Sequence, residues 1–295
     1  MPTLPGHGAS GTERLELHRT REMAESFGVD AAAYHAARPS YPDALVQRIV
    51  DGQSTPSILD IGCGTGIAAL QLREAGGDVV GIEPDQRMAE FARSRGLSVE
   101  HSTFEAWDPR DRSFDIVTAA QSWHWVDPTI GPTKAATILR PGGRLAIFGH
   151  VFEPPEDVAQ ALADAFRRAV PDSPFTTSGR RPLQTYRAGY EHIAETLRVT
   201  SLFGDVDVWQ FDWTRTYQRD EWLALLATTG SLTPSRSKQG PRFCRPSDAL
   251  SMHAADRSRW NTSRSPPRAA AAPSCRMGIM TVYERAEHGR GQLRT

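Results

Sequence analysis

From Ser57 onward, short apolar runs closed by glycine alternate with stretches whose apolar residues recur every three to four positions. The first pattern predicts buried strands and the second amphipathic helices. Ser57-Ile58-Leu59-Asp60-Ile61 reads as a strand, Ile67–Glu74 as a helix broken by Gly76-Gly77, and Asp78–Glu83 as a second strand. Pro84 is placed to open a helix to about Arg95, because proline's fixed φ suits the first helical position. Gly96–Glu100 predicts a third strand and Phe114–Ala120 a fourth. A helix over about Pro132–Leu139, ended by Pro141-Gly142-Gly143, leads to a fifth strand at Arg144–Gly149. Upstream, Ala44–Val50 fits a helix behind Pro42. Downstream, Asp157–Ala169, Thr185–Leu197 and Arg219–Ala227 read as helices, with an outer strand over Asp205–Trp213. Strands alternating with helices predict an α/β fold, a mostly parallel sheet covered on both faces.

Charge divides the chain. Its 295 residues carry 34 Lys and Arg against 35 Asp and Glu, yet residues 231–295 hold 12 of the former and 4 of the latter. The first 230 residues are therefore acidic, and the rest form a basic tail of low complexity. Only six of those last 65 residues are Val, Ile, Leu or Phe, below the roughly 20% associated with a packed core. Within the tail only Ile279–Tyr283, in a possible strand spanning 278–284, has strand character and offers a last strand. The rest reads as a basic interaction arm or as an out-of-frame stretch of a GC-rich gene. The organisation expected is a mobile segment at 1–22, a domain at 23–230 with its core at 55–150 and an insert at 151–201, and the tail at 231–295.

No apolar run approaches the roughly 20 residues of a membrane span, and no basic-then-apolar leader opens the chain. Cys63, Cys244 and Cys275 are far apart, so neither a disulfide framework nor a metal site is expected, and a cytoplasmic setting is. The acidic body argues against nucleic acid as a partner.

Candidate chemistry concentrates at Asp60-Ile61-Gly62-Cys63-Gly64-Thr65-Gly66, where a strand runs through a glycine turn into a helix. Glycine accepts φ > 0 and leaves no Cβ between backbone and ligand, and the helix N-terminus offers free N–H groups. Glu83 ends the next strand, where a carboxylate can accept both ribose hydroxyls of an adenosine cofactor. Taken singly, Asp60 is equally readable as a cap for the turn and Glu83 as a solvated residue before Pro84. The glycines are spaced two apart, not as in the dinucleotide pattern G-x-G-x-x-G, and Asp60 would repel a pyrophosphate. Its charge suits a cofactor bearing an ammonium and a sulfonium, which favours S-adenosylmethionine (SAM) over NAD.

Over Ala33–His150 the sequence resembles the class I SAM-dependent methyltransferases, of the type 11 or trans-aconitate-methyltransferase-like kind that act on small molecules. The resemblance rests on Tyr34-His35-Ala36-Ala37-Arg38-Pro39-Ser40-Tyr41-Pro42, on the glycine loop and on Gly81-Ile82-Glu83-Pro84. Phe114-Asp115-Ile116-Val117 with Ala120–Trp125, and Leu139-Arg140-Pro141-Gly142-Gly143, extend it. It implies a Rossmann-like fold with a seven-stranded sheet whose last strand is left open. It also implies that Asp60, Gly62, Cys63 and Gly64 line the methionine and ribose region, with Glu83 and Pro84 at the ribose. Phe104 and Glu105 would contact adenine, Gln121 would lie at the mouth, and Tyr34 and Arg38 would close over the cofactor's amino-acid end, Arg38 pairing with its carboxylate; the alternative for these two is a surface arginine and a packed tyrosine.

Methyl transfer needs a base only when the acceptor must lose a proton. His124, between Trp123 and Trp125, is the candidate catalytic residue; equally, it packs the pocket wall and orients a loop. The expected acceptor is a small molecule, methylated on a carboxylate or hydroxyl oxygen, and the expected assembly a monomer or homodimer. Specificity is expected from the segment up to Tyr41 and from the insert at Glu153–Ser201, whose Arg167, Arg168, Arg180, Arg181 and Arg187 read either as attracting a carboxylate substrate or, more simply, as a solvated helix face and a mobile loop. Alternatives are a catalytically impaired SAM-binding protein with a degenerate C-terminus, and an NAD-dependent oxidoreductase, which the glycine spacing and Asp60 disfavour.

Overall fold

The computed structural model describes residues 26–169, 182–228, 274–277 and 279–285. The N-terminal segment at 1–22 and most of the basic tail lie outside the described residues, as do Arg180 and Arg181.

Five parallel strands form the centre: β1 (Ser57–Ile61), β2 (Asp78–Glu83), β3 (Ser98–His101), β4 (Phe114–Ala120) and β5 (Leu139–Gly149). They lie in the order β3-β2-β1-β4-β5. The sheet continues through β9 (Ile279–Arg285) to β6 (Phe203–Trp209), both pairings antiparallel. The strand drawn from the basic tail is thus inserted between β5 and β6 and makes the sheet seven-stranded. A separate ribbon pairs β7 (Trp213–Thr216) with β8 (Ser274–Met277).

Period-two alternation decides which residues meet which layer. Leu59 and Ile61 of β1 join a core with Val117, Leu145, Ile147 and the helices α5 (Ile130–Ile138) and α7 (Pro182–Val199). Ile58 points the other way, with Ile116 and Phe148, against α2 (Asp43–Val50), α3 (Ile67–Glu74) and α4 (Gln86–Ser94). Three further helices are α1 (Ala31–Ala37), α6 (Glu156–Ala169) and α8 (Arg219–Ala227). Among the described residues no helix is long and apolar enough to cross a membrane.

Three local expectations are corrected. Pro84 does not begin α4; Asp85 caps it, its carboxylate accepting from the backbone N–H groups of Arg87 and Met88, so Pro84 stands before the cap. Pro141-Gly142-Gly143 does not separate helix from strand. It lies within β5, where Gly142 at φ +73° takes up a shift in the register against β4, the work of a bulge. The outer strand expected over Asp205–Trp213 is two strands in two sheets, β6 and β7, which share a period and therefore look continuous in sequence.

Candidate active site

The loop after β1 places its three glycines at positive φ: Gly62 at +62°, Gly64 at +56° and Gly66 at +86°. Each serves a different need. A Cβ on Gly62 would sit 2.6 Å from the Ser122 Cβ, and one on Gly66 would sit 2.3 Å from Leu97 Cδ1. Those two glycines let β4's loop and the α4–β3 connection close onto the turn. A Cβ on Gly64 would meet nothing within 4 Å, so its bare backbone faces open space.

The two acids stand on neighbouring strands. Glu83 Oε2 accepts from the Gly64 N–H and Oε1 from the Asp85 N–H, both at 2.8 Å. Burial nevertheless pushes Glu83 up to about 7, against the pull of those bonds. Asp60 is fully buried on β1; its Oδ1 accepts from the Thr118 hydroxyl at 2.7 Å, and its Oδ2 has no partner. Desolvation lifts it to about 7, the Thr118 bond opposing.

Beside these groups, at the carboxyl ends of the parallel strands, lies a cavity of about 170 Å3. Ligands enter open α/β sheets at that edge. Of the residues expected at the cofactor, Tyr34, Arg38, Gly62, Cys63, Gly64, Glu83, Pro84, Phe104, Glu105 and Gln121 all line it. Asp60 does not; it lies sealed behind the loop. The Cys63 thiol, pushed up by burial, packs against Gly81, where a Cβ would come within 2.5 Å of Sγ. Glu105 Oε1 accepts from the Asp127 N–H at 2.8 Å. Gln121 holds φ +58°, donates its N–H to the Phe148 carbonyl at 2.7 Å and its Nε2 hydrogen to the His150 carbonyl at 2.8 Å. A non-glycine residue kept in this region costs energy and marks a position the surroundings over-determine.

The structure does not bring His124 into this cavity. Its ring lines a second space of about 10 Å3, beside Tyr186 and Tyr190, with room for about one water and no acceptor. Burial pushes the ring down to about 4, and its Nε2 has no hydrogen-bond partner. Trp125, its neighbour at 4.7 Å between ring centroids, does line the large cavity. Of the insert's arginines, Arg168 is exposed and Arg187 pairs with Glu191 at 3.0 Å on the surface.

Two residues at the far end escaped the sequence reading. Tyr41 and His150 line the cavity and stack face to face, ring centroids 4.2 Å apart at 6°. His150 sits just after β5, and the tendency of open α/β sheets to bind ligands at the carboxyl ends of their strands was signal enough to find it. Tyr41 ends the N-terminal segment expected to confer specificity but carried no role of its own. Arg38 lies over the Tyr34 ring at 4.9 Å and donates Nε to the Thr228 hydroxyl and Nη2 to its carbonyl, at 2.9 and 2.7 Å.

A family model described as a methyltransferase domain matches residues 59–147, which run from the glycine loop to β5. An uncharacterized methyltransferase of Mycobacterium tuberculosis is 34% identical over 174 residues, 56% of this chain and 71% of its own. The chain belongs to the class I SAM-dependent methyltransferases. This methyltransferase is also 30% identical to the trans-aconitate 2-methyltransferase of Rhodococcus jostii, over 50% of this chain and 59% of that one. It shares its fold with a structure from Anaeromyxobacter dehalogenans assigned as a type II methyltransferase, at TM-score 0.55 and 21% identity, covering 84% of this chain and 96% of that one. Membership in the family sets aside the NAD-dependent reading.

Proposed function

We propose that this methyltransferase esterifies a carboxylate oxygen of a small molecule entering between Arg38, Tyr41 and His150. The observation that carries the reading is the character of that end of the cavity. It offers a guanidinium, and neither His150 nor Tyr41 beside it ionises near neutral pH. His150 is held down at about 3 by burial, with Arg38 adding to the effect, and burial keeps the Tyr41 hydroxyl protonated. An acceptor that is already an anion forms its ester without releasing a proton, so no base is required. The likeness to a trans-aconitate methyltransferase agrees with an acidic acceptor.

The residues present fit SAM. Gly64 leaves its backbone bare toward the cavity, and Glu83 stands at the wall with lone pairs for a ribose diol. Phe104, 3% exposed, gives an apolar wall for adenine, with Glu105 beside it. When bound, the cofactor supplies an electrophilic methyl on a sulfonium. The chain's part is to hold both partners at near-attack distance and keep water out. Arg38, in place of the cofactor's amino-acid end that the resemblance gave it, draws the acceptor's carboxylate, while Tyr41 and Trp125 wall the site.

A panel of carboxylic acids, phenols and amines, assayed by S-adenosylhomocysteine release, tests the reading. Turnover of acids is expected. Turnover of phenols or amines with none of acids would replace the acceptor class. Absence of any turnover, with S-adenosylhomocysteine still bound in calorimetry, would point to a SAM-binding protein that has lost its activity.

A further inference from the structure

The hydrogen-bond chemistry of the acceptor end is set by one backbone carbonyl. His150 Nε2 lies 3.2 Å from the carbonyl oxygen of Pro39. A carbonyl only accepts, so Nε2 must carry the ring hydrogen. Burial keeps the ring neutral at physiological pH, which leaves Nδ1 as a bare lone pair. Among the described residues Nδ1 takes no hydrogen bond, and His150 lines the cavity. The ring cannot turn to change this. Stacking on Tyr41 and the Trp213 ring 5.8 Å away hold its plane, and a flip within that plane would break the Nε2–Pro39 bond.

We infer that His150 is a specificity-determining residue: its Nδ1 accepts a hydrogen bond from a hydroxyl carried by the methyl acceptor. The preferred acceptor is therefore a hydroxy acid, or a polyacid whose second carboxyl is protonated. The ligand atom facing Nδ1 must bring a hydrogen, because two lone pairs repel. An ammonium would bring one too, but Arg38 stands at the same end and repels a cation. Asp60, whose carboxylate would offset that charge, is sealed behind the glycine loop. An O–H donor beside an anion satisfies Nδ1 and Arg38 together. Sites built to bond a hydroxyl discriminate strongly against analogues lacking it, because a buried acceptor is left unpaired. The inference rests on the esterification reading above.

Two measurements decide it. The first needs no acceptor: long-range 15N–1H correlation spectra of the full chain with labelled histidines, His150 assigned by loss of its signals in His150→Gln. A neutral Nε2–H tautomer at pH 7 is expected; an Nδ1–H tautomer or a charged ring overturns the inference. The second is kcat/KM for carboxylic acids of several chain lengths, each paired with its 2-hydroxy and 3-hydroxy derivative. At least a tenfold preference for one hydroxy acid is expected, and His150→Phe should bring that ratio toward one, with S-adenosylhomocysteine affinity reporting that the variant is folded. Acids methylated without any hydroxyl preference overturn this inference and leave the esterification reading standing. Phenols or amines methylated in place of all acids overturn both.

Discussion

Thr118 on β4 donates its hydroxyl hydrogen to Asp60 on β1 across 2.7 Å, at a point where both side chains are fully buried. This bond is all that the described residues offer the Asp60 carboxylate, since its second oxygen has no partner.

The pH dependence of stability follows from that poverty. Asp60 folds with its proton held up to about 7, whereas an unfolded aspartate loses it near 3.9. Between those values the folded state binds more protons than the unfolded one, so stability falls as pH rises. The Asp60 contribution is fully present below about pH 4 and gone above about pH 7. Glu83 adds to the slope in the same direction. Asp60→Asn should flatten the decline of the apoprotein's Tm between pH 5 and 7.5, read as the difference from wild type. An unchanged slope would show that Asp60 ionises normally.

Glycines that look alike in sequence should behave differently. Gly64→Ala places its Cβ in open space, so it should cost only the strain of positive φ, about 1–2 kcal/mol, while blocking approach to the cavity. Gly66→Ala drives its Cβ into Leu97 and should unfold more readily. Calorimetry with S-adenosylhomocysteine and thermal melts on both variants separate the effects: lost affinity with a modest Tm change for the first, a large Tm drop for the second.

Removing the Glu83 carboxylate should weaken S-adenosylhomocysteine binding. Charge-assisted hydrogen bonds contribute about 1.5–3 kcal/mol, so Glu83→Ala is expected to raise Kd by roughly ten- to a hundredfold. Wild-type affinity in this variant would remove Glu83 from the cofactor site. Because Glu83 also holds the Gly64 and Asp85 N–H groups, Glu83→Gln should recover part of the stability but little of the affinity.

His124 offers a clean kinetic test. With its ring beside a space for about one water, His124→Gln should lower Tm and raise KM while leaving the shape of the kcat–pH profile from 5 to 9 unchanged. An ionisation present in wild type and missing in the variant would make His124 the base.

The order of strands, the turn after β1 and the acids flanking it could be read along the chain. Their causes are local: glycine takes positive φ without strain, and apolar runs of five to seven residues ending at Asp60-Ile61 or Glu83 mark where buried strands stop. Ser57–Ile61, Asp78–Glu83 and Phe114–Ala120 are strands over the residues expected. What nothing local could reveal is which distant groups meet. Arg38 binds Thr228, 190 positions away, and His150 reaches Pro39 across 111. Ile279–Arg285 crosses back from the tail to sit between β5 and β6. The same holds for proton affinity. His124 and His150 are identical in sequence chemistry, yet one lies beside two tyrosines with its Nε2 unpartnered and the other lines the cavity with its Nε2 on Pro39. Covalent identity fixes what a side chain can do, but desolvation and the partners brought by remote segments decide which of those things it does.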